Sequence, residues 1–148
     1  MAVKFEVSGR ISRPVSEVFE AVVNPDKLSG YFTTGGAKGR IETGKTVMWE
    51  FHDFPGAFPV DIVEVEKDKR IILKWIGDDA NKGETTVTMR FEPTDDGRTI
   101  VSIAEEGWPE TPDGRKSSYN NCMGWSQMIC AMKAYVEYGI NLREGMYK

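Results

Sequence analysis

The chain has 148 residues, of which 40% are hydrophobic, 28% charged and 11% aromatic, and its formal net charge is −4. A chain of this length fits one domain and buries roughly 68–70% of its unfolded surface, so its apolar content can offset the ordering entropy, which excludes disorder. Its apolar runs fall far short of the ~20 residues a membrane helix needs, and its acidity disfavours nucleic acid, whose phosphates require a basic footprint.

The first residues alternate apolar and charged side chains, with Val3, Phe5, Val7 and Ile11 on one face. That pattern predicts a strand and not a signal peptide. Pro14 stands where a helix begins, and Val15, Val18, Phe19, Val22 and Val23 supply a short apolar stripe. Asn24-Pro25 stops that helix, and Pro25 to Phe32 can form a second helical turn or two.

From Gly35 to Trp108 the period changes to two. Val47, Trp49 and Phe51 alternate with Met48, Glu50 and His52. Val60 and Ile62 give way to Val63 and Val65, a phase change that predicts a bulge. Ile71, Leu73 and Trp75 form the next strand, then Val87, Met89 and Phe91, then Thr99, Val101 and Ile103. Turn signals at Gly44-Lys45, Lys67-Asp68-Lys69 and Asp95-Asp96-Gly97 make this an antiparallel meander.

About Ser117 to Arg143 the spacing turns helical, with Cys122, Trp125, Met128, Ile129, Met132, Tyr135, Val136 and Ile140 on one side. Cys122 and Cys130, the only cysteines, are separated on this helix by about 12 Å, too far for a disulfide. They read as free thiols, which suits a reducing, cytoplasmic setting. Neither they nor the single histidine supplies a metal site, and no cofactor is expected. The expected architecture is α+β, a single domain over residues 1–148. A curved antiparallel sheet of six to seven strands wraps around a long C-terminal helix, with two short helices after the first strand.

The chain resembles the helix-grip superfamily of START-like and polyketide-cyclase-like (SRPBCC) proteins. Within it, the chain is most similar to the family of activators of heat-shock protein 90 ATPase and their bacterial single-domain homologues. The residues that carry the resemblance are Ile11, Pro14, Val18 and Phe19, then Asn24-Pro25, Val63-Glu64-Val65, Arg70-Ile71 and Trp75. Thr99, Val101, Ile103 and Gly107-Trp108 match the last strand, and Gly124-Trp125, Met128, Met132 and Val136-Glu137 match the helix. Leu28 to Phe32 departs from the pattern, since the family commonly carries a tryptophan there.

Gly39-Arg40-Ile41-Glu42-Thr43-Gly44-Lys45-Thr46 satisfies the phosphate-loop pattern letter for letter. That pattern works only between a buried strand and a helix. Here the residues before it are small and polar, and Thr46 to Phe51 alternates as a strand, so a hairpin turn explains Gly44-Lys45 better. His52 shares the phase of Glu50, opposite Trp49 and Phe51, which places it on the solvent side. Counting by twos from Val101 and Ile103 puts Glu105 on the inner face, where an apolar gap would desolvate its carboxylate. The alternatives are that water reaches it at the strand end, or that a bulge turns it outward. Glu106 to Pro109 is then a loop, with Trp108 as a lid or a packing residue.

These positions predict binding of a small, mainly apolar molecule between sheet and helix. Trp49, Phe51, Leu73, Trp75, Met89, Phe91, Ile103, Trp125, Met128 and Met132 would form the wall, and Glu105 the polar contact. Two alternatives stand beside this. The resemblance implies a chaperone partner, although these residues leave no room for the activator's additional N-terminal domain. A cyclase-like enzyme would use Glu105 or His52 as acid or base, but no second catalytic group converges on either by phase.

Overall fold

The computed structural model describes residues 2–76 and 83–147, the side chain of Pro55 excepted. Strand β1 (Val3–Ile11) alternates half-buried and exposed positions along its length. Pro14, in extended conformation, opens helix α1 (Val15–Val23), which buries Val18, Phe19, Val22 and Val23. The Asn24 side chain then caps α2 (Pro25–Leu28) by accepting from the Asp26 N–H. Six further strands follow: β2 (Gly36–Lys38), β3 (Thr46–Phe51), β4 (Phe54–Glu66), β5 (Arg70–Ile76), β6 (Glu84–Pro93) and β7 (Thr99–Trp108). They form one seven-stranded sheet in the order β1-β7-β6-β5-β4-β3-β2, each strand antiparallel to its neighbours. Helix α3 (Pro112–Tyr138) packs on the inner face against β1 and β7.

The strand alternation translates directly into burial. Val47 and Trp49, Ile71 and Leu73, Val87, Met89 and Phe91, and Val101 and Ile103 all belong to the core. The register of β4 shifts between Ile62 and Glu64, where the phase changes, and Val63 is left exposed. Residues 39–45 lead straight into β3, with the Gly44 N–H donating to the Ile62 carbonyl and the Lys45 N–H to that of Glu42. No helix follows to receive a phosphate.

Strand β2 has too few residues and too little apolar alternation to show in the sequence, yet it pairs with β3 through Ala37 and Trp49. His52 lies beyond the end of β3, exposed in the turn between Phe51 and Phe54. Strand β7 runs on to Trp108: Gly107, at φ +115°, lies where the β1 pairing slips between Val3 and Lys4. This bulge returns Trp108 to the inner phase, and its ring stacks on Phe5 at 5.6 Å. Trp108 is therefore a packing residue of the sheet and not a lid.

Both ends of α3 differ from the expected span of Ser117 to Arg143. It begins at Pro112, because Thr111 accepts a hydrogen bond from the Gly114 N–H and Pro112 suits the first turn. It ends at Tyr138, because Gly139 adopts the left-handed conformation at φ +70°. Residues 140–147 turn back from there instead of extending the helix to Arg143.

Candidate functional site

At one end of the gap between sheet and helix lies a cavity of about 390 Å³. The β3–β4 hairpin supplies Phe51, Asp53, Phe54 and Phe58, and β5 supplies Trp75. Helix α3 supplies Asn120, Asn121, Met123, Gly124, Trp125 and Gln127, and Phe32, Arg143 and Tyr147 complete the wall. The aromatic residues touch in series. Phe32 stacks on Trp125 at 5.3 Å, Trp125 meets Trp75 at 5.5 Å, Trp75 meets Phe58 at 5.6 Å, and Phe58 stacks on Phe51 at 5.9 Å. Such edge and offset contacts hold rings rigid while leaving their free faces to the cavity.

Beneath this wall sits Glu105, 1% exposed. Its Oε2 accepts from Trp75 Nε1 at 3.0 Å, from Thr85 Oγ1 at 2.6 Å and from Asn121 Nδ2 at 3.0 Å. Its Oε1 accepts from Trp125 Nε1 at 2.7 Å and from Asn121 Nδ2 at 3.1 Å. Burial pushes the carboxyl above the ordinary glutamate range, while the hydrogen bonds from Thr85, Trp75, Trp125 and Asn121 pull it down. All four partners are neutral donors, and the two indole N–H groups among them can only donate. The carboxylate thus fixes both indoles of the cavity wall. It also orients the Asn121 amide, which lines the cavity and donates from Nδ2 to both oxygens of Glu105.

The predicted wall residues divide into two groups. Phe51, Trp75 and Trp125 line the cavity. Trp49, Leu73, Met89, Phe91, Ile103, Met128 and Met132 are core residues, each no more than 3% exposed. Trp49 backs the wall by meeting Trp75 at 5.7 Å and Phe32 at 5.5 Å. Phe91 packs edge-on against Phe19 of α1, at 5.2 Å. Phe32, Asp53, Phe54, Phe58, Asn121, Arg143 and Tyr147 line the cavity without having been foreseen. Phe32 comes from the segment that departs from the family pattern, and the helical spacing alone places Arg143 at the helix end. Among the described residues no His, Cys, Asp or Glu cluster could hold a metal ion, and Cys122 and Cys130 are free thiols. No helix among them is long and apolar enough to cross a membrane.

A family model described as activator of Hsp90 ATPase homolog 1-like protein matches residues 12–137. A search of curated proteins finds no match. Among solved structures, protein SSP2350 from Staphylococcus saprophyticus is 26% identical, with a TM-score of 0.78 over 95% of this chain and 96% of that one. The Aha1 dimer from Colwellia psychrerythraea is 19% identical, with a TM-score of 0.77 over 93% and 98%. CalU16 from Micromonospora echinospora is 18% identical, with a TM-score of 0.73 over 97% and 79%.

Proposed function

The chain belongs to the activator of Hsp90 ATPase homolog 1-like family, and from that premise and the cavity geometry we propose that it binds a small, mainly apolar molecule between sheet and helix. The observation that carries this reading is the aromatic wall built on a buried carboxylate. Cavities of about this size, mostly apolar and with a few fixed polar groups, are the usual form of small-molecule sites. Here Phe51, Phe58, Trp75 and Trp125 offer ring surface, and Asn121 offers an amide held by Glu105. A plain core would have interdigitated these side chains to native density instead.

Binding is favoured over catalysis by the state of the two candidate acid–base groups. Each oxygen of Glu105 already accepts two or more hydrogen bonds, so it has no free position for a ligand proton. His52 is exposed in a turn and does not line the cavity. The family match favours chaperone-ATPase activation as a second reading, for which several-fold, concentration-dependent stimulation of a heat-shock protein 90 ATPase would be the supporting result.

The test is titration with the neutral dye N-phenyl-1-naphthylamine. Its fluorescence is expected to rise on binding, and Phe58→Ala, which removes one ring face, is expected to weaken binding by about tenfold. A dye that stays dark with the folded protein, or binds Phe58→Ala equally well, overturns the reading.

A further inference from the structure

Two charged side chains are buried around this cavity, and they are treated in opposite ways. Glu105 is closed, with both oxygens saturated by neutral donors. Arg143 is open. It is 5% exposed, yet no carboxylate among the described residues lies within ion-pair distance. Its Nη1 donates to the Phe32 carbonyl and its Nη2 to the Gly124 carbonyl, each at 3.3 Å, and its Nε has no partner. Those two distances exceed the usual N–H···O range, and a guanidinium carries five N–H donors. Most of its hydrogen-bonding capacity is therefore unused.

A buried, unpaired charge is costly, so proteins pair such groups or give them a ligand. The contrast within this molecule is instructive. Arg40, beside a second depression on the surface, is held bidentate by Glu20 at 2.6 and 3.0 Å. Arg143 instead rests between two rings, 5.2 Å from the centroid of Phe32 and 5.5 Å from that of Tyr147. Such stacking fixes the plane of the guanidinium without neutralising it. Asp53, exposed on the cavity wall, attracts Arg143 only from beyond ion-pair distance.

We propose that Arg143 is the head-group receptor of this cavity, and that the ligand is an apolar carboxylic acid whose carboxylate pairs with the guanidinium while its body lies against the aromatic wall. The inference rests on the binding reading given above and adds the charge of the ligand to it. A singly charged carboxylate matches one guanidinium and can engage it through two parallel hydrogen bonds. A phosphate monoester would leave a second negative charge uncompensated in an apolar cavity that already faces Asp53.

The experiment compares two probes of nearly the same shape, 1-naphthaleneacetate and 1-naphthaleneacetamide, by calorimetry at neutral pH. The wild type is expected to bind the acetate about tenfold or more tightly than the amide. Arg143→Gln should abolish the preference, whatever its effect on overall affinity, and Arg143→Lys should retain part of it. Equal affinity of the two probes for the wild type overturns the head-group assignment, as does a preference that survives in Arg143→Gln. If Arg143→Gln does not fold, the wild-type comparison and Arg143→Lys still decide. Binding of the amide and of N-phenyl-1-naphthylamine without an acid preference removes only the head-group assignment. Failure of all three to bind removes the binding reading itself, and this inference with it.

Discussion

Glu105 shows how one residue can be legible in a sequence while its environment is not. Its inward direction follows from counting by twos along β7, because side chains alternate strictly between faces. Its partners depend on register, which the sequence leaves open. Thr85 stands directly across from Trp75 and two residues before Val87, the partner of Glu105, so only the pairing of β5, β6 and β7 brings three side chains together. Asn121 arrives from α3, and nothing in its helical spacing announces that role. Because the folded-state pKa of Glu105 is raised, the folded protein holds this proton more tightly than the unfolded chain does. Stability attributable to the group is thus full below the ordinary glutamate value and falls as pH rises through the folded one. The Thr85 hydrogen bond opposes that fall by favouring the ionised form. Thr85→Val should therefore cost about 1.5–3 kcal/mol wherever Glu105 is ionised, the usual worth of a hydrogen bond to a charged group. The cost should shrink once Glu105 is protonated. Urea unfolding across a series of pH values measures both, and a cost that stays equal from acid to alkaline pH would show that the carboxylate is not what Thr85 serves.

At the scale of elements, the strands were readable from alternation and α3 from its stripe, but the ends of elements were not. Apolar periodicity locates the middle of a helix, whereas capping chemistry locates its ends. Thr111-Pro112 and Gly139 carried that information. Reading the stripe through Ile140 to Arg143 missed it, because apolar residues after the cap continue the spacing by coincidence. The same blindness hid Gly107, whose bulge reverses the phase of Trp108. The consequence for the site is direct, since the reversal of the chain at Gly139 is what carries Arg143 back over Phe32. Asn141 steadies the return by accepting from the Arg143 N–H at 3.0 Å. Gly139→Ala forces a side chain into the left-handed conformation and should cost about 1 kcal/mol. That corresponds to a fall in Tm of roughly 2–4 °C for a chain of this size. An unchanged Tm would mean that the helix can end elsewhere without penalty.

At the scale of the whole molecule, the cavity exists because α3 packs against β1 and β7 and the β3–β4 hairpin, at the other side of the sheet, meets it only through the cavity wall. Towards α1 the gap is closed by pairs such as Phe19 and Phe91. Towards the β3–β4 hairpin it is left open, and Gly124 is one of the α3 residues on its wall. This glycine lies well inside α3, where its flexibility costs about 1 kcal/mol relative to alanine. A Cβ built on it meets nothing within 4 Å. Its position on the cavity wall supplies the missing reason, because a larger side chain there would enter the space a ligand needs. Gly124→Leu should therefore separate stability from function. Helix propensity predicts a gain of about 0.5–1 kcal/mol, and the backbone carbonyl that accepts from Arg143 is untouched by the change. Dye affinity should nevertheless fall by about tenfold or more as leucine occupies the cavity. Calorimetric melting and N-phenyl-1-naphthylamine titration of the same preparation test the two halves together. If Gly124→Leu instead lost the 1–3 kcal/mol typical of overpacking while dye binding stayed intact, the space beside Gly124 would be filled core and the ligand site would lie elsewhere.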